Sequence, residues 1–412
     1  MRRAAFVAAA VFIVCAHAAP SAQVVAPPGP PAASPADDGR AQLPGLLDGA
    51  FVSLGVGHIN YPFSELQLEP GHTADSVDVP HVAARAFLFG RQFGKYLSAQ
   101  ASYMRPIKYV RYRNVDGAGS TRFVWMHFGT VTAGPLLPIG RRFSLRGETG
   151  IAIVNRSGFE DGADIIVRNA HFTSALVGGG VDYHASPALD LVAGATYIAG
   201  RESHRQPHTT FVSAGIRYNL RPLPPERVAE TRNAGFIFPE RLLQFGVATN
   251  GFGYGVNNFV SKKVPIFWGG RVHVRSSAVS LQYQHNVFHT KKRFAFDIGA
   301  SVAQWTSDRR RETFRTLSVY PLLRFMVIRR RPADLYFAYS VAGPSYISRD
   351  VIDGLDTGGR FTFQDFMAVG MFLGASKHVN AEVGINHYSN GNILTENAGV
   401  KIPLTFKVGY AF

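Results

Sequence analysis

Ser389 and His387 stand two residues apart near the end of the chain, in His387-Tyr388-Ser389-Asn390-Gly391-Asn392. An imidazole that takes the proton of a serine hydroxyl lets that oxygen attack an ester carbonyl. The chemistry also asks for an acid to orient the imidazole and for amides to hold the developing oxyanion. Asn390, Asn392, Asn397 and the backbone at Gly391 are the candidate oxyanion or positioning donors.

Alternation along the strand decides which way the pair points. Val379, Ala381, Val383 and Ile385 are apolar, whereas Asn380, Glu382, Gly384 and Asn386 between them are polar or small. Strand side chains alternate between faces, so His387 and Ser389 project with the apolar set. On a membrane barrel that set faces lipid. In the preceding segment Phe361, Phe363, Met367, Val369, Met371 and Leu373 form the apolar face, and Asp365 interrupts it. If Ala375 to Lys377 is a hairpin loop with Gly374 against His378, counting back sets Asp365 opposite His387, with Cβ atoms about 5 Å apart. Asp365 is therefore the candidate acid, with Glu396 as the alternative.

The elements that must hold these groups are strands. Beyond the first residues no run of about 18 apolar residues occurs, so no transmembrane helix is available. The chain is rich in Gly (42), Phe (31) and Tyr (16), and its apolar residues alternate with polar ones. Strands closed into barrels are the other way to satisfy a backbone inside lipid. The expected fold is all-β, two consecutive small antiparallel transmembrane β-barrels, each of about eight strands.

The pattern divides the chain into residues 1–18, a secretory signal peptide built from Arg2-Arg3, an apolar core and Ala16-His17-Ala18; 19–45, a flexible Pro/Ala-rich lead; 46–220, the first barrel; 221–240, a Pro-rich linker; and 241–412, the second barrel. In the second barrel eight segments begin at residue 264, and Leu242 to Val260 forms a ninth. Even strand counts make that ninth a lead-in or a merged neighbour.

The only cysteine, Cys15, lies in the signal, so the exported protein has no thiol chemistry. Loss of Arg2 and Arg3 lowers the formal charge from +15 to +13. A basic exported protein suits anionic partners such as phosphorylated glycolipid rather than nucleic acid. Arg309-Arg310-Arg311 falls in an outer loop, where it could meet lipid phosphates, and Arg329-Arg330-Arg331 in a periplasmic turn. His285 and His289 share a face by spacing but lack a third ligand, so no metal and no cofactor are expected. The glycines around Phe252 lack the βαβ context of a nucleotide site, and no G-x-S-x-G elbow is present.

The C-terminal half resembles the lipid A 3-O-deacylases, outer-membrane barrel hydrolases also called acyloxyacyl hydrolases. The resemblance rests on His387-Tyr388-Ser389-Asn390, on Asn397 with Gly399 after it, and on the barrel ending at Phe412. Pro265 to Gly270, Ala342 to Ser348 and Phe363 to Phe366 also look like that family. The first half is similar in pattern to small barrels of the outer-membrane-protein-A type. The resemblance implies removal of the ester-linked 3-hydroxyacyl chain from lipid A, with Ser389 as nucleophile and His387 as base. It also implies lipopolysaccharide of the outer leaflet as substrate, in the outer membrane of a Gram-negative bacterium. The family pattern places a glutamate where this chain has Lys401. Either Asp365 or Glu396 supplies the acid, or the third group is dispensable, or the enzyme is impaired. The rival reading is a non-enzymatic barrel protein, structural, adhesive or pore-forming, with a degenerate hydrolase domain.

Overall fold

The computed structural model describes residues 39–263, 269–276 and 278–412. The expected signal peptide, the lead up to residue 38 and most of the segment Pro265 to Gly270 lie outside the described residues. The chain forms two compact units, one of residues 43–222 and the other of residues 223–412 with 39–42.

In the first unit eight long strands carry the alternating segments: β1 (Ala50–Asn60), β2 (Val82–Phe93), β3 (Leu97–Pro106), β4 (Thr121–Ile139), β5 (Phe143–Ser157), β6 (Ala170–Ser186), β7 (Leu189–Ile198) and β8 (Thr209–Asn219). Each pairs antiparallel with its neighbours, and β1 pairs with β8 to close the ring. Outward Val212, Ile216 and Tyr218 are exposed while inward Arg217 is buried, as lipid outside and a packed interior require. The interior is filled by paired charges. Arg85 binds Glu148 and donates to Ser102 Oγ at 2.8 Å, and Arg217 meets Asp182 at 2.6 Å.

The second unit repeats the plan with β9 (Arg241–Thr249), β10 (Ala278–His289), β11 (Phe294–Thr306), β12 (Thr313–Arg329), β13 (Ala333–Ile347), β14 (Phe361–Leu373), β15 (Val379–Ser389) and β16 (Val400–Ala411). Pairing of β9 with β16 closes it. Its interior holds Arg324 against Asp297 at 2.9 Å and Lys407 against Glu382 at 2.7 Å, with the Tyr336 hydroxyl donating to Glu382 at 2.7 Å. All-β architecture with two closed barrels is therefore observed.

The strand list of the second barrel differs from the expectation in one place. The segment starting at Leu242 is the first true strand, β9, and residues 264–275 supply no barrel strand among the described residues. There Val272–His273 runs parallel to Val400 and Lys401 of β16, and Val274 makes a single antiparallel bridge to Ser307. Glycines at 251, 253 and 255 end β9, and helix α2 (Gly255–Lys263) follows. An earlier helix, α1 (Pro225–Arg232), opens with proline in its first turn, where a missing N–H costs nothing. Residues Gly39–Ala41 make one turn of 3-10 helix, and Arg40 donates to the Phe238 carbonyl at 3.2 Å.

Turns alternate short and long around the second barrel. Residues 290–293, 330–332 and 374–378 make the short connections, while 250–277, 307–312, 348–360 and 390–399 make the long ones. Such barrels keep short turns periplasmic and long loops outside. β15 therefore rises toward the outer rim, where its last residues meet the loops.

Candidate active site

Tyr388 fixes the orientation of the end of β15. Its ring is fully buried inside the barrel, edge-on to Trp305 at 6.3 Å, and its hydroxyl accepts from Thr316 Oγ1 at 3.1 Å. His387 and Ser389, on either side of it, leave the strand on the opposite face. His387 is nonetheless only 1% exposed, whereas Ser389 is half-buried.

The ladder between β14 and β15 sets Asp365 against His387 and Phe363 against Ser389. Asp365 is 3% exposed, and its Oδ2 lies 3.5 Å from His387 Nδ1. Its other oxygen, Oδ1, accepts from the Ala342 amide at 2.7 Å. That donor exists because β13 bulges between Ser340 and Gly343, with Ala342 at φ 53°. The extra residue turns an N–H out of the ladder and toward the carboxylate. The sequence signal was Gly343-Pro344 within a strand, a pair that marks a bulge, but it does not say which N–H is freed.

On the other side of His387 the ladder places Lys401 of β16. The Lys401 ammonium is turned to α2, donating to Asn258 Oδ1 at 2.8 Å and lying 5.8 Å from the Tyr254 ring centre. Helix α2 is tied to the same strand by Asn257, which donates to the Ile402 carbonyl at 2.7 Å. These helix contacts were not expected from the sequence, which weighs the glycines around Phe252 only against a nucleotide site. Above the imidazole the chain turns at Gly399, whose φ is 61°. A Cβ there would stand 3.2 Å from His387 Nε2, so a side chain would crowd the ring.

The loop after β15 is held by its asparagines. Asn390, fully buried, donates from Nδ2 to the carbonyls of Thr357 at 2.9 Å and Glu396 at 2.6 Å. Its amide donates to Asn397 Oδ1 at 3.3 Å, and Asn397 Nδ2 donates to Asn392 Oδ1 at 2.8 Å. Asn390 thus braces the loop from the interior side, and Asn397 and Gly391 lie nearer the surface. Glu396 is exposed, with its carbonyl taken by Asn390. Gly358 makes room for this brace, since a Cβ would fall 1.9 Å from the Glu396 carbonyl oxygen.

Arg309, Arg310 and Arg311 are exposed in the outer loop 307–312. The amides of Arg309 and Arg310 donate to Asp353, as does Ser307 Oγ at 2.6 Å. Burial opposes ionisation of Asp353, but these hydrogen bonds outweigh it and hold the carboxyl below its ordinary range. His285 and His289 do not share a face. A bulge between Asn286 and Phe288 shifts the parity, and His289 stacks on Phe238 at 4.3 Å.

A family model, Lipid A 3-O-deacylase (PagL), matches residues 277–410. The PagL match runs from the start of β10 into β16, so Asp365, His387, Ser389 and Lys401 all lie inside it. The family read from His387-Tyr388-Ser389-Asn390 is the family found. Among solved structures, the chain is similar to the outer membrane enzyme PagL at 13% identity, over 42% of this chain and 98% of that one, with a TM-score of 0.28. It is similar to Neisserial surface protein A at 15% identity over 42% and 98%, with a TM-score of 0.28. The N-terminal β-barrel domain of Pseudomonas aeruginosa OprF gives 13% identity over 42% and 98%, with a TM-score of 0.28. No curated protein matches the chain. The PagL match and the closed barrels make this an outer-membrane protein of a Gram-negative bacterium.

Proposed function

We propose that the second barrel is an esterase that removes an ester-linked 3-hydroxyacyl chain from lipid A at its outward face. Ser389 is the nucleophile, His387 the base and Asp365 the acid. The observation that carries this reading is the row Asp365–His387, held on the outward parity of β14 and β15 within the PagL match. An outward site at the outer rim meets the glycolipid of the outer leaflet without passage through the filled interior.

In the reaction His387 accepts the serine proton while Ser389 Oγ forms its bond to the ester carbonyl carbon. The imidazolium then protonates the departing sugar oxygen. Water, deprotonated by His387, attacks the acyl carbon, the bond to Ser389 Oγ breaks to release the fatty acid, and His387 returns the proton to Ser389 Oγ. Asp365 stabilises the imidazolium, and its own orientation is fixed by the Ala342 amide. The 3.5 Å separation is long for a hydrogen bond, as is common before substrate closes a site. Asn397 and the Gly391 amide are the oxyanion donors in this reading, and Asn390 keeps their loop in place. Arg309 to Arg311 supply cationic contacts for the lipid phosphates.

Lys401, at the glutamate position of the family pattern, favours a second reading in which the domain has lost activity. One experiment separates the two. Lipid A from cells expressing the chain should be lighter by one hydroxyacyl group than lipid A from cells expressing Ser389→Ala. Identical mass spectra would support the degenerate barrel.

A further inference from the structure

The outward face of the first barrel carries a polar row. The ladder of β3 and β4 ends with Met104 against Phe128, and one step further Arg105 stands beside His127. Next, β4 and β5 set His127 against Asn155, and β5 and β6 set Asn155 against His171. The residues that alternate with them, Met104, Phe128, Val154 and Phe172, are buried in the core, so all four project outward. Lower on the same face Val131, Ile151 and Val177 are exposed, as a lipid-facing wall requires. His171 Nδ1 lies 2.6 Å from Asn155 Oδ1, and the His127 ring is flanked by Tyr103 at 5.3 Å and Trp125 at 5.6 Å.

The height of the row is set by the strand. From Leu97 at the short-turn end to Arg105 is eight residues, which at ~3.3 Å per residue and a ~40° tilt climbs about 20 Å. Phe143 and Tyr183, 5.2 Å apart, mark the lower aromatic girdle, and Tyr103, Tyr109 and Trp125 mark the upper one. Aromatic girdles sit where acyl chains meet headgroups. Four adjacent strands at ~4.8 Å spacing make the row about 15 Å wide. Among the described residues no carboxylate pairs with Arg105, and the outward positions flanking the row, Tyr103, Ile153 and Thr173 below and Trp125 and Ser157 above, carry none.

We propose that Arg105, Asn155 and His171 form a docking row for the phosphorylated disaccharide headgroup of an outer-leaflet glycolipid, with His127, 3% exposed between Tyr103 and Trp125, packed beneath it as the link between Arg105 and Asn155. Arg105 offers a planar fork that matches phosphate oxygens. Asn155 and His171, both half-buried, face the sugar, and Tyr103 and Trp125 pack the roots of the acyl chains. The width selects the occupant, because a single phospholipid headgroup would reach one or two of these strands, whereas a phosphorylated disaccharide spans the row. The proposal concerns the first barrel and stands apart from the esterase reading of the second.

The test uses the full chain carrying Ser389→Ala, in phosphatidylcholine nanodiscs with photoreactive lipid A, followed by mapping of the crosslinked peptides. Labelling of β3 to β6 is expected, competed at least tenfold better by lipid A than by dephosphorylated lipid A or phosphatidylglycerol. Arg105→Ala with His171→Ala should cut that labelling at least fivefold and leave labelling of the second barrel unchanged, while Arg105→Lys alone should keep most of it. The double variant is first checked for folding by its heat-dependent gel mobility. If it does not fold, the competition on the parent chain decides. Undiminished labelling in a folded variant, or equal competition by phosphatidylglycerol, would overturn the assignment.

Discussion

Asp365 and His387 face each other across the ladder of β14 and β15, carboxylate oxygen 3.5 Å from ring nitrogen, with both side chains almost wholly buried. In the proposed esterase that carboxylate orients and charge-balances the ring. Asp365→Asn keeps the shape and removes the charge. Its expected effect is a ~10²–10⁴-fold loss of deacylation rate, measured on lipid A in mixed micelles, with the gel mobility of the folded barrel unchanged.

Lys401 occupies the matching place on the other flank of His387. A carboxylate there would serve the imidazole from β16 instead of β14. Lys401→Glu is therefore expected to restore Asp365→Asn to within about tenfold of the parent rate, the size of a small residual misplacement. A double variant no faster than Asp365→Asn would show that the two flanks are not equivalent.

The barrel interior gives a stability test that leaves the site alone. Lys407 and Glu382 have fully buried side chains 2.7 Å apart. Lys407→Met strands a buried carboxylate, and about 3–5 kcal/mol should be lost. Urea unfolding of the barrel in vesicles measures it. Adding Glu382→Gln should recover most of the loss, since the penalty comes from the unpaired charge.

The outer loops carry a pH-dependent tie. The carboxyl of Asp353 sits below its ordinary value of 3.8, so its contribution is present above that value and is lost as pH falls through the lower, folded one. Hydrogen exchange at the Arg309 and Arg310 amides should be protected from neutral pH down to about 4 and should rise only in stronger acid. At neutral pH Asp353→Asn should speed that exchange by roughly 5–30-fold, the worth of about 1–2 kcal/mol of hydrogen bonding.

Alternation made much of this fold legible. Val212, Ile216 and Tyr218 against Arg217 give the parity of β8 at a glance, and the short loop at Ala375–Lys377 carries the register back to Asp365 and His387. Three features were hidden by local physics. The bulge after Asn286 moves His289 to the inner face, because one inserted residue reverses every later side chain. Gly251 to Gly255 belong to a turn into α2, whose Asn258 holds Lys401, and no strand pattern announces a helix laid on a barrel wall. Asn390 reads as a surface donor, yet it lies on the parity of Tyr388 and spends its amide on Thr357 and Glu396.

The identity of the nucleophile can be read directly. The purified chain in nanodiscs is treated with a fluorophosphonate ester, which bonds covalently to activated serines, and the labelled peptide is sequenced by mass spectrometry. The expected result is one label, on Ser389, reduced at least a hundredfold in His387→Ala. Absence of label on Ser389, or labelling indifferent to the loss of His387, would contradict a serine esterase on the outward face of this barrel.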